Sequence, residues 1–561
     1  MLRKLVIGGL LSLVLASPAG AAKTTLMPGV TYERQVELTP HGPVAIHVLT
    51  APKPGGLYSL APALSNGVVA GRESLTALER RASTTGTVAG VNGDFFAASG
   101  EPTGIVLRSG VLDHPPDADR SSIGVGADGS LRVEQVVYNG IWRGTSGRRP
   151  IRLNAVPGKN GVSLFTPSWG AATPAIPGAT AAVIPTLPPT MPNTDLSGTV
   201  TQIGPASGAT PIPRTGAVVV ARGTGAARFV AEVPAGTSLF LRFILTPTWS
   251  DVTDAIGGGP LIVRGGKPVF RAGETFSPQL LAPRRPRTAV GQLADGRIVL
   301  VAVDGAAAGY SVGMTNFELA LTLVRLGAVT GAALASGTAT TMAFDGTLLD
   351  RPSAPGGQLP LSDALLVSYA GVYVPQPAPV LSPNGDGVDE KIPLSYRIVR
   401  PSSVTATLVG PGGVTQTLDT GARNPGTYKF TWDGGTAPEG RWRLVVSAVD
   451  DQGRSSSADR PFVLDKTLGF LTAPTSVASG LRGSFMLAHP AQVRATIERP
   501  SGVVVRRLFA RSLDVGTVPV SWNGRDDRGA RAFAGRYVLR VTATNELGTM
   551  SLAKLFRLHR G

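Results

Sequence analysis

The chain of 561 residues is too long for one hydrophobic core, and at roughly 100 to 200 residues per domain it calls for three or four units. Hydrophobic residues at 42% against 16% charged exclude a disordered chain, while 71 glycines and 46 prolines require many turns and hence a β-rich build. The absence of cysteine excludes a disulfide framework and any thiolate metal site.

The net charge of +16 suits an anionic partner, such as a phosphate-bearing cell-wall polymer or a lipid surface. The arginines are scattered, aromatics are 6%, and no basic helix or basic run interleaved with aromatics occurs, so nucleic acid is not an expected partner.

The N-terminus carries Arg3 and Lys4, the apolar run Leu5 to Leu15, and Ala19-Gly20-Ala21 as a small-residue cleavage site. This pattern predicts a signal peptide over residues 1–21 and a mature protein that is secreted, periplasmic or at the cell surface. The apolar run falls short of the roughly 20 residues of a spanning helix, and no transmembrane helix is expected after cleavage. Retention as an uncleaved anchor is the alternative.

From Gly29 to about Val367 the pattern mixes apolar strands such as "VAIHVLTA", "GAVVVA" and "RIVLVAVD" with a few helices. "RESLTALERRAST" predicts a helix with Leu75, Leu78 and Ala82 on one face. Thr315-Asn316-Phe317-Glu318 reads as a capping box ahead of "LALTLVRL", with Gly327 as the stop. Residues 140–215, rich in Pro, Thr and Gly, read as loops joining short strands.

After the proline-punctuated linker "YVPQPAPV" (Tyr373 to Val380) helix signals vanish and the sequence is duplicated. Trp432 and Trp522 lie 90 residues apart (522 minus 432), the size of a β-sandwich. Each copy runs through Gly440 or Gly535 into an alternating strand, "RWRLVVSAV" or "RYVLRVTAT". The copies resemble the immunoglobulin-like domain of flagellar hook-capping proteins. The expected fold is therefore an α+β main domain with mixed β-sheets over residues 22–375, then Ig-like β-sandwiches at 376–465 and 466–561.

In "VNGDFF", Asn92-Gly93 suits a tight turn, and equally the buried strand Thr87 to Asn92 delivers Asp94 to a cavity walled by Phe95 and Phe96. Four further segments fall into line with it: Thr253 to Val269, Arg284 to Gly305, Gly309 to Val329 and Thr340 to Ser353. Their order and content resemble the phosphodiester glycosidase family, which implies hydrolysis of a glycosyl phosphodiester and a glycan or sugar-phosphate substrate. By that resemblance Asn92 and Asp94 are site residues.

A phosphodiester needs a cation or backbone N–H groups for its charge and a carboxyl group near the glycosidic oxygen. Arg287, beside Thr288, suits a bidentate phosphate clamp, or an arginine paired at a strand edge. Gly257, Gly258 and Gly259 suit backbone approach to an anion, or a simple turn. Asp304 ends an apolar strand as Asp94 does; together they suit acid–base chemistry, or a divalent cation such as calcium or magnesium. His41, His47, His114, His489 and His559 lack paired ligand spacing, so zinc is not indicated.

One departure from the family pattern stands out. Where it reads L-D-G-G-G-S-T-T-M, this chain reads Leu334 to Met342 as "LASGTATTM", with Ala335 in place of Asp and Ala339 in place of Ser. A catalytically degenerate glycan-binding protein is therefore the alternative to a hydrolase. A separate loop, "SPNGDGVDE", places Asn384, Asp386, Asp389 and Glu390 around two glycines, as a calcium loop or as Asx turns.

Overall fold

A computed structural model describes residues 23–206 and 208–559; the signal-peptide reading falls outside them. Residues up to Ser368, without Thr84–Thr87, form one compact unit, and the rest of the chain from Tyr369 forms the second.

The first unit is β-rich with short helices, as the α+β expectation requires. Its largest sheet has eight strands, ordered Thr24–Met27, Val30–Thr39, Gly42–Ala51, Ile298–Val303, Arg287–Leu293, Ala328–Ala333, Leu261–Arg264 and Lys267–Pro268. The helix Asn316–Arg325 packs Leu319, Ala320 and Leu323 against this sheet in a core with Val299, Val301 and Ala289. Its capping box forms as expected: Glu318 N–H donates to Thr315 Oγ1 (3.2 Å) and Thr315 N–H to Glu318 Oε2 (2.8 Å).

Two five-stranded sheets flank the site. One runs Thr347–Leu348, Met342–Phe344, Thr87–Asn92, Asp363–Tyr369, Tyr58–Leu64, and the other Val111–His114, Val106–Arg108, Val252–Gly257, Ser121–Gly126, Leu131–Gln135. Strand Thr87–Asn92 is buried at every residue, in keeping with its small and apolar centre from Val88 to Val91. The helix Leu75–Ala82, capped by Ser74, covers this region with Leu75 and Leu78.

Residues 140–215 are more ordered than their composition predicts. They supply strands to a four-stranded and a five-stranded sheet, whose shared core includes Trp142, Phe243, Leu164 and Val219. The helix Gly223–Glu232, absent from the sequence reading, buries Phe229 edge-on against Trp142, with ring centroids 5.2 Å apart. Two glycines among its first three residues conceal it from a propensity reading, and burial of Ala226 and Phe229 overrides them.

In the second unit the duplication is reproduced in the five-stranded sheet of each copy, while the smaller sheet has two strands in the first copy and three in the second. The sheet Val380–Leu381, Ser455–Leu464, Gly440–Asp450, Ser402–Val409, Thr415–Arg423 has its counterpart in Ser476–Val477, Gly548–Leu558, Gly535–Asn545, Ala491–Glu498, Val504–Leu513. Trp432 and Trp522 lie in the two sandwich cores. The segment read as a linker from Tyr373 is structured at its start: Val372 and Val374 are buried in the first sandwich core, and Tyr373 exchanges two backbone hydrogen bonds with Arg397.

Candidate functional site

The ends of three sheets converge on Asp94. Asn92 closes its strand, and Gly93 O accepts Ala335 N–H (3.1 Å) just beyond strand Ala328–Ala333. Gly257 closes a third strand and lies so close to Asp94 that a Cβ there would collide with Asp94 Oδ2; only glycine fits.

Asp94 is 2% exposed. Its Oδ1 accepts Arg120 Nη2 at 2.6 Å, and its Oδ2 accepts Gly104 N–H at 2.7 Å. Its own N–H donates to Asp363 Oδ1 at 2.8 Å. Burial pushes the Asp94 carboxyl above its ordinary range, and the Arg120 charge offsets this only in part. Asp363 is fully enclosed; burial first, then the Asp94 charge, push it up to about 8, and its Oδ2 has no hydrogen-bond partner. Asp94 is thus the ion-paired member of the cluster, and Asp363 is the member that holds its proton more tightly.

Arg120 also donates to Gly258 O (2.9 Å), and its guanidinium lies 4.8 Å from the Phe95 ring centroid and 5.1 Å from that of Phe276. Its Nε is buried without a partner. On the other side, Gly104 O accepts His114 Nδ1–H at 2.7 Å, and His114 Nε2 stands 3.6 Å from Glu101 Oε1. Sequence reading missed Arg120, His114 and Asp363. The one available signal was Asp363 opening the apolar strand "DALLVSY", the mirror of a carboxylate closing one.

Asn92 and Thr288 are brought together: Thr288 Oγ1 donates to Asn92 Oδ1 at 2.7 Å, and Asn92 Nδ2 donates to Ala335 O at 2.9 Å. This network locks the strand ends on which Asp94 stands.

Three sequence readings are corrected by the geometry. Arg287 is not a phosphate clamp: its Nε donates to Met314 O (2.9 Å) and its Nη2 to Leu281 O (3.1 Å) and Pro283 O (2.8 Å), so it ties loops together. Burial, then the nearby Arg285, lower its pKa to about 10. Gly257, Gly258 and Gly259 offer no N–H to an anion, because these groups donate to Ile105 O, Ser121 O and Ala333 O. Asp304 does not pair with Asp94. Its Oδ2 accepts His47 Nε2 (2.9 Å) and Tyr310 OH (2.7 Å), and its Oδ1 accepts Arg351 N–H (3.0 Å). Burial alone would raise Asp304, but the His47, Tyr310 and Arg351 contacts hold it below its ordinary value.

The family's missing polar pair is replaced by packing: Ala335 and Ala339 lie in an apolar cluster with Leu75, Leu78, Leu361 and Leu366. In the loop read as a calcium site, Asp386 accepts N–H groups from Val388 (2.8 Å) and Phe470 (2.8 Å), Glu390 accepts that of Gly387 (3.0 Å), and Asn384 that of Asp386 (3.1 Å). Asp389 adopts a positive φ of 52°. Among the described residues, no group of three or more His, Cys, Asp or Glu side chains is arranged to hold a metal ion.

A β-rich unit with a buried carboxylate cluster at its strand ends, followed by tandem sandwiches, is the class of protein defined by this architecture. The family model for phosphodiester glycosidase matches residues 193–368, and that for the FlgD Ig-like domain matches residues 474–546, so both resemblances read from the motifs are borne out. The first match supports a function related to glycosyl phosphodiesters; it includes Asp363 and begins after Asp94.

Among solved structures, a hypothetical protein from Synechocystis is 26% identical, with a TM-score of 0.52, covering 63% of this chain and 64% of that one. The chain therefore spans less than two thirds of that relative's length. A putative exported protein from Burkholderia pseudomallei is 20% identical, TM-score 0.48, covering 58% and 74% of the two chains. The zebrafish N-acetylglucosamine-1-phosphodiester alpha-N-acetylglucosaminidase catalytic domain is 14% identical, TM-score 0.31, covering 62% and 86%. No curated protein matches the sequence.

Proposed function

We propose that the chain is an exported hydrolase that releases a sugar from a glycosyl phosphodiester of a cell-envelope or extracellular glycan. The observation that carries this reading is the Asp94–Arg120–Asp363 cluster, in which one buried carboxyl group is ion-paired and its neighbour is pushed up to about 8. Two carboxyl groups whose environments separate their protonation states are what acid–base cleavage of a glycosidic bond needs. Asp363 holds the proton for the leaving oxygen, and Asp94 supplies negative charge toward the developing oxocarbenium ion. Arg120, ion-paired with Asp94, favours the charged form of Asp94 against the effect of burial. Export rests on the N-terminal basic and apolar pattern.

The second reading, glycan binding without turnover, rests on Ala335 and Ala339, which put methyl groups where the family pattern has a carboxylate and a hydroxyl. The two readings separate in one experiment. The purified protein is incubated with a panel of glycosyl phosphodiesters while binding is followed by calorimetry. Turnover lost in Asp94→Asn with binding retained supports the hydrolase. Binding without turnover in the unmodified protein supports the receptor, and neither across the panel removes both.

A further inference from the structure

Beside Arg120 a carboxylate of the chain itself sits in what is chemically an anion cradle. Glu274 Oε1 accepts Ser121 Oγ–H and Leu261 N–H, both at 2.7 Å, and Glu274 Oε2 accepts Ser121 N–H at 2.7 Å. Three donors from two separate strands converge on one carboxylate. Gly259 leaves the approach open, since a Cβ there would collide with Glu274 Oε2, and its φ of +109° disfavours other residues. The cradle borders the candidate site: Ser121 follows Arg120, and Phe276, two residues after Glu274, lies against the Arg120 guanidinium.

Glu274 arrives on an irregular segment between the strand Lys267–Pro268 and the short helix Pro278–Leu281, tethered where Thr275 N–H donates to Asp119 O (3.0 Å). The same segment walls a cleft of about 630 Å³, together with Leu261, Asn316 and Phe317. The cleft has an exposed apolar wall suited to a ligand. Phe270, 78% exposed, meets Phe317 edge-on, with ring centroids 5.7 Å apart.

The geometry points to Ser121 N–H, Ser121 Oγ–H and Leu261 N–H as an anion subsite that takes the phosphate of the substrate, with Glu274 as its built-in occupant. A phosphate oxygen pair replaces the Glu274 carboxylate on the same donors, and the segment swings aside. The sugar then lies in the cleft against Phe270 and Phe317. This assignment rests on the hydrolase reading for the sugar, but the anion site itself does not. It restores in altered form the phosphate role expected of the glycine triplet: Gly259 gives room, and Leu261, two residues on, gives the N–H.

An intramolecular carboxylate competes at a high effective concentration, so removing it should raise phosphate affinity on the order of tenfold or more. The probes are inorganic phosphate and dimethyl phosphate, titrated calorimetrically into the full protein, Glu274→Ala and Glu274→Gln at constant ionic strength. Gain in both variants, reversed by adding Ser121→Ala, is the expected result. A folded Glu274→Ala or Glu274→Gln with no gain overturns the proposal. A test without substitution guards against misfolding: trypsin cleavage after Arg271 in the unmodified protein should rise in phosphate but not in chloride, and an unchanged rate counts against displacement. If phosphate binding rises but no glycosyl phosphodiester is cleaved by any form, the hydrolase reading falls and the anion site stands. Cleavage without any gain in phosphate binding has the opposite meaning.

Discussion

Asp94 donates its backbone N–H to Asp363 Oδ1 at 2.8 Å, and the two side chains share one buried site. One carboxyl group has Arg120 as its counter-charge, and the other has an oxygen with no partner at all. That asymmetry is what the proposed hydrolase reading uses, with Asp363 as the acid and Asp94 as the charged partner.

The first prediction concerns pH. Asp363 is raised from 3.8 to about 8 in the folded chain, so between those values the unfolded chain releases a proton that the folded chain keeps. Stability is therefore fully present below the unfolded value and declines as pH rises toward about 8. Asp363→Asn should remove this decline, narrowing its stability difference from the unmodified protein by on the order of a few kcal/mol between acid and mildly basic pH. Urea melts of both proteins at several pH values check it; parallel curves would place the titration elsewhere.

Arg120→Met should destabilise the protein by about 3 to 5 kcal/mol, because it leaves the Asp94 charge buried without its partner. Adding Asp94→Asn should recover part of that loss, since the uncompensated charge disappears. Chemical denaturation of the two single variants and the double variant measures the coupling. Additive losses would mean the pair contributes little to stability.

Gly257→Ala tests how tightly the glycine triplet holds the carboxylate. A methyl group there would force Asp94 or Gly104 aside, costing about 1 to 3 kcal/mol. Under the hydrolase reading turnover should fall more than stability predicts, through misplacement of Asp94. A fully active, stable variant would show that the site has slack.

Asp304 is held below its ordinary value, so it contributes stability above 3.8 that is lost as pH falls through its folded value. Asp304→Asn should flatten that acid limb. Because Asp304 is engaged by His47, Tyr310 and Arg351 rather than by the Asp94 cluster, the variant should keep most of its turnover. Loss of activity equal to that of Asp94→Asn would make the His47 cluster the reacting one.

Trp432→Ala and Trp522→Ala should each cost about 3 to 5 kcal/mol. Both rings are buried, and their Nε1–H groups donate to Gln416 Oε1 (3.0 Å) and Arg525 O (2.7 Å). Calorimetric melting of the full chain, with the second-unit transition followed, checks this; near-neutral changes would contradict the core assignment.

Local patterns in the sequence determined whatever depends on neighbours along the chain. The Thr315–Glu318 capping box, the buried strand ahead of Asn92, the 90-residue spacing of Trp432 and Trp522 (522 minus 432), and the motif order that marks the family are all local or periodic signals. Only the tertiary structure decided which charges meet. Arg287 stands next to Thr288 in sequence, but three carbonyl groups claim its guanidinium, while Arg120, in a stretch without any motif, lies on Asp94. Asp363 joins Asp94 from 269 residues away, and Glu274 reaches Ser121 from 153. The reason is physical: a strand's hydrogen-bonding and burial pattern is written in its own residues, whereas a buried charge finds its partner wherever sheet ends converge, and sequence separation carries no trace of that distance.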